Sequence, residues 1–92
     1  MPIDTSFQAI QLISVHSFNF IKSTKDDDGT DESYQIIRSN LNSLLKVLVD
    51  ANFITADESI HSLREYSNIK KEYLSPTVQK VINFAENFAR QL

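Results

Sequence analysis

A single glycine, Gly29, stands among ninety-two residues, with only two prolines beside it. Glycine supplies the backbone torsions that tight hairpins, phosphate-cradling loops and strained active-site turns require. A chain this poor in it is expected to join helices by other means. The 92 residues leave room for one domain, 1–92, and a chain of this size buries about 60 to 65 % of its unfolded surface. With 41 % hydrophobic and 23 % charged residues, the composition is that of a folding chain and not of a disordered one. A net charge of -3 with pI ≈ 5.2 gives no global positive field to attract phosphate backbones, so nucleic acid is a poor partner. Cysteine is absent, which removes disulfides, thiolate nucleophiles and Cys-based metal sites together. The stretch Met1–Ser6 has no basic region, and the longest apolar runs are a few residues. Neither a signal peptide nor a membrane span is expected, and the expected state is soluble and cytoplasmic.

Helical periodicity is clearest where Tyr34, Ile37, Leu41, Leu44, Leu45 and Leu48 recur at three- and four-residue steps. The other face carries Gln35, Arg38, Ser39, Asn42, Lys46 and Asp50, so a helix over about 32–51 is amphipathic. Asn52 suits the left-handed conformation just past its end. Thr55-Ala56-Asp57-Glu58 then matches a capping box, and a third helix is expected over about 56–73 with Ile60, Leu63, Tyr66, Ile69 and Tyr73 as its apolar stripe. Ser75-Pro76 stops it and opens a fourth, over 77–91, whose Val78, Val81, Ala85, Phe88 and Leu92 share a face.

The first helix, over about 5–23, starts from a second possible capping box, Thr5-Ser6-Phe7-Gln8. Phe7, Ile10, Ile13, Phe18 and Ile21 fall on one side, and Leu12 and Val15 on the other. A helix apolar on both sides is either the central one or meets another chain through its second stripe, as in a homodimer. A competing reading pairs strands within about 17–38 as a short β-hairpin across Asp28-Gly29. The breaks favour an all-α, single-domain antiparallel four-helix bundle, with residues 24–31 as an acidic connector.

That connector, with its neighbour Glu32, holds five acids. Aligned on a calcium loop with Gly29 at position six, it places Thr24 at position one and Gln35 at position twelve, where carboxylates belong. It reads as a solvated loop whose acids favour the following helix's positive end. His61 has Glu58 and Glu65 on the same helical side, a spacing that ordinary surface pairing also produces; His16 stands alone. No nucleophile elbow or glycine-rich phosphate loop is present, so no catalytic, metal or cofactor residue is assigned, and the chain is expected not to be an enzyme.

His61-Ser62-Leu63-Arg64 resembles the phosphoacceptor box of dimerising histidine-kinase helices, without the Thr-Pro that follows it there. The helix count and the Lys71-Glu72-Tyr73-Leu74-Ser75 lead-in to the last helix are similar to those of the small immunity proteins of Gram-positive bacteriocin producers. That resemblance implies protection of a membrane receptor complex through the C-terminal half and carries over no individual residue.

The residues themselves favour a non-enzymatic regulator, adaptor or inhibitor acting by protein–protein binding. Leu12, Val15, Phe53, Tyr66 and Tyr73 are its candidate partner-binding positions. A homodimeric DNA-associated regulator, dimerising through Leu12 and Val15 and touching DNA with the third helix around Arg64 and Lys70-Lys71, is the alternative from another class.

Overall fold

The computed structural model describes residues 3–69, together with Asn83 and Asn87 as separate helical positions. Three helices follow in order, α1 (Phe7–Lys25), α2 (Asp31–Asp50) and α3 (Ala56–Ile69), and among the described residues there is no strand. The described part of the protein is all-α. The hairpin expected at 17–38 is overturned, because those residues continue α1 and α2 on either side of a short corner. The fourth helix, 77–91, lies outside the described residues.

α2 is the element against which both others pack. Ile37, Leu41, Leu44, Leu45 and Leu48 are buried, while Gln35, Arg38, Ser39, Asn42, Lys46 and Asp50 are exposed. Ile13 and Phe20 from α1, with Ala51 and Ile54 beyond α2, complete the core. α1 runs antiparallel to α2: Asn40 Nδ2 donates to the Asn19 carbonyl at 3.5 Å, and the Asp4 amide donates to the Ala51 carbonyl at 2.8 Å.

Side chains close the ends that glycine does not. Thr55 Oγ1 accepts from the Glu58 amide at 3.1 Å while Glu58 Oε1 accepts from the Thr55 amide at 3.0 Å, the reciprocal pair of a capping box. α2 ends in a Schellman turn. Asn52 takes a φ of 61°, its amide donates to the Val49 carbonyl, and the Phe53 amide donates to the Leu48 carbonyl at 2.9 Å.

α1 departs from expectation at its start. Ser6, not Thr5, caps it, accepting from the Ala9 amide at 3.2 Å, and Asp4 Oδ1 accepts from the Ser6 amide at 2.9 Å. The helix runs to Lys25 and α2 begins at Asp31, so the connector shrinks to 26–30. Within it Gly29 takes a φ of 80°. Asp27 Oδ1 accepts from the Gly29 amide and from Ser33 Oγ. Asp28 Oδ1 accepts from the Thr30 amide and Thr30 Oγ1, and Thr30 Oγ1 caps α2 by accepting from the Ser33 amide at 3.2 Å. These bonds to Thr30, its hydroxyl first, hold the Asp28 carboxyl below the ordinary aspartate range.

The buried face of α1 also differs. Ile13 and Phe20 are buried together with Ser14, Ser17 and Ser23, whereas Phe7 and Phe18, expected on the core side, are both 66 % exposed. Ser14 and Ser23 are buried at little cost because their hydroxyls bond their own helix: Ser14 Oγ donates to the Ile10 carbonyl at 2.9 Å and Ser23 Oγ to the Phe20 carbonyl at 2.6 Å. The rings of Phe7 and Phe18 are turned out while that of Phe20 is buried. α1 is therefore not the central helix. The same substitution of small for large occurs on α3, where Ile60 is exposed and Ser62 is fully buried.

Candidate functional site

From Thr5 to Ile21 the chain contains no Asp, Glu, Lys or Arg, in a protein whose residues are 23 % charged. α1 is nonetheless a surface helix. Phe7, Leu12, Val15 and Phe18 are 66 %, 45 %, 50 % and 66 % exposed, and the positions between them on the outer face are Gln8, Gln11 and Asn19, also exposed. Interspersed with these amides, the four apolar residues together leave about 400 Å² of surface in water. Depletion of charge with retention of aromatic side chains is the compositional mark of an interface core.

Charged residues border this face at its two ends and on the side toward α2, where Asp50 lines one depression and Asp26 the other. Asp4 is exposed beside the start of α1, and Lys22 and Lys25 are exposed in its last turn, where they also complement the helix dipole. Toward α2 the face continues into two open depressions. One is lined by Gln8, Leu12, Val47 and Asp50, the other by Asn19, Lys22, Ile36 and Asn40. Ile36 is itself half in water.

Of the candidate positions read from sequence, Leu12 and Val15 lie on this face. Phe53 lies elsewhere: it is half-buried, follows the Asn52 turn and packs against the core, the hydrophobic contact that accompanies a Schellman turn. Tyr66 lies in α3, and Tyr73 lies outside the described residues, as do Lys70 and Lys71. Phe7 and Phe18, which by periodicity fall on the same side as Ile13, belong to the exposed face instead. The uncharged run Thr5–Ile21 is the signal that distinguishes it.

His16 is half-buried on α1 and His61 exposed on α3. Neither lines these two depressions or a third, which is formed around Asn52, Phe53 and Thr55. The Glu58 carboxylate that sequence spacing placed near His61 is turned to the Thr55 amide. Among the described residues no group of three His, Asp or Glu is placed to hold a metal ion, and no helix is long and apolar enough to cross a membrane. No protein-family model, curated protein or solved structure matches the chain.

Proposed function

We propose that this protein is a non-enzymatic helical module that acts by protein–protein binding, and that the outer face of α1 is its binding surface. The observation that carries the reading is the uncharged helix that keeps Phe7, Leu12, Val15 and Phe18 in water. An unselected surface helix would be expected to place charge there. The rest of the chain is read as the scaffold for that face. Residues 77–91 form a fourth helix that completes an antiparallel bundle, supported by the Ser75-Pro76 start and the Val78, Val81, Ala85, Phe88 and Leu92 stripe.

The test is affinity capture from native extract with the natural chain and with Val15→Asp and Phe18→Asp, each checked for unchanged circular dichroism. The expected result is a stoichiometric protein partner recovered by the natural chain and lost by both variants. Equal recovery by all three moves the binding surface off α1.

A further inference from the structure

Resting on that reading, we propose that the α1 face takes a basic amphipathic helix of a different protein, its apolar stripe laid along Phe7, Leu12, Val15 and Phe18 and its Lys or Arg side chains reaching the acids at the two ends of the face. From Phe7 to Phe18 the helix rises about 16 Å, the length that about three turns of a partner helix cover. A helix seated on such a surface contributes apolar anchors three and four residues apart. The face runs within Thr5 to Ile21, where the chain has no charge, so it supplies the apolar half of the match.

Charge selects the partner's polar half. At the start of α1 an open depression of about 150 Å³ is lined by the apolar Ala9, Leu12 and Val47 and by the acidic Asp4 and Asp50, both exposed. Among the described residues no Lys or Arg lines it. Asp4 Oδ1 accepts from the Ser6 amide, which holds that carboxylate beside the depression. A lysine or arginine side chain suits this place, with its methylene stem on Leu12 and Val47 and its charged head at the carboxylates. At the far end Lys22 and Lys25 are outnumbered by the corner acids Asp26, Asp27, Asp28, Asp31 and Glu32, and Asp26 lines the second depression beside Lys22. Both ends of the face are therefore net acidic. A second copy of this chain would set acidic end against acidic end in either direction, whereas a cationic helix is attracted to both. The net charge of -3 on the whole chain draws in the same partner.

The probe is a synthetic amphipathic peptide of leucine and lysine at helical spacing. Its controls are the same peptide with Glu for every Lys, and a scramble of the same composition without the apolar stripe. Binding to the full chain is read by fluorescence anisotropy. The leucine–lysine peptide is expected to bind in the micromolar range, at least about tenfold tighter than either control. Asp4→Asn combined with Asp50→Asn, which keeps an acceptor for the Ser6 amide, is expected to weaken it about tenfold. Asp57→Asn, exposed at the start of α3, is expected to leave it unchanged. Val15→Asp adds a negative charge and is nonetheless expected to abolish binding, which separates docking from attraction by charge alone. Equal affinity for the Lys and Glu peptides, indifference to the Asp4 and Asp50 substitutions, binding retained by Val15→Asp, or no binding at hundreds of micromolar each overturns the proposal. So does self-association through Val15 that shuts the peptide out, which gives the face to a second copy. If the proposal falls and the native partner is still captured through Val15 and Phe18, the protein-binding reading stands with a partner of other chemistry; loss of both defeats both.

Discussion

α1 and α2 lie side by side, are of nearly equal length, and solve opposite problems. α2 buries Ile37, Leu41, Leu44, Leu45 and Leu48 and turns Arg38, Lys46 and Asp50 to water. α1 buries Ser14, Ser17 and Ser23 beside Ile13 and Phe20, and turns Phe7 and Phe18 out. In α2 hydrophobicity and burial coincide at every large apolar position but Ile36, which is half in water. In α1 they are partly uncoupled. Apolar area left in water contributes nothing to folding, and that uncoupling is what supports the proposal that α1's outer face binds a partner.

The largest expected effect tests that contrast directly. Leu44→Ala, at a fully buried position, is expected to lower stability by about 2 to 5 kcal/mol. Phe18→Ala removes a larger side chain and is expected to change the stability of the monomer by less than about 0.5 kcal/mol. Urea denaturation of both, at a concentration where the chain is monomeric, decides it, and similar losses would erase the distinction between the helices.

The caps come next. Thr30→Ala removes both the α2 cap and the hydroxyl bonded to Asp28, and is expected to cost about 1 kcal/mol. Ser6→Ala removes only a cap bond from α1, which has no acid in its first turn, and is expected to cost about 0.5 kcal/mol by the same measurement.

An effect of opposite sign is expected at Ser17. Its hydroxyl is 1 % exposed as part of its residue and has no hydrogen-bond partner, unlike those of Ser14 and Ser23. Ser17→Ala relieves an unpaired polar group and is expected to raise stability by up to about 1 kcal/mol, read as a higher melting temperature. A loss would mean that the serine face of α1 has to be polar.

The smallest effect concerns the corner joining the two helices. The Asp28 carboxyl sits below its unfolded value, so its contribution is present above the ordinary aspartate range and is lost as pH falls through the lowered folded value. The protection factor of the Thr30 amide, which removes the intrinsic pH dependence of hydrogen exchange, is expected to fall on that acid side, and a protection factor that does not change with pH would remove Asp28 from the corner's hold on α2.

What could be read in advance follows the same division. The α2 face, the Asn52 turn and the Thr55–Glu58 box were legible because pattern and chemistry there are local: a period, a residue tolerant of positive φ, a spacing of three. The orientation of α1 was not. Phe7 and Phe18 drew the apolar face toward themselves, and serine counts as polar even where Ser14 and Ser23 satisfy their hydroxyls on their own helix. Ile60 and Ser62 misled in the same way on α3. Of the binding positions, Leu12 and Val15 were visible as apolar residues out of phase with the rest. Phe53 was visible too, but its prominence in the sequence reflects the turn it closes.

The corner between α1 and α2 also bears on the order in which the chain acquires its structure. Six hydrogen bonds among Asp27, Asp28, Gly29, Thr30 and Ser33 each span six residues or fewer, so making them fixes a short loop before any distant contact is made. The α1–α2 hairpin is then the natural first structure, with α3 added to a surface already in place. Thr30→Ala should slow refolding and leave the unfolding rate nearly unchanged, making the acidic corner a determinant of how fast the fold is found.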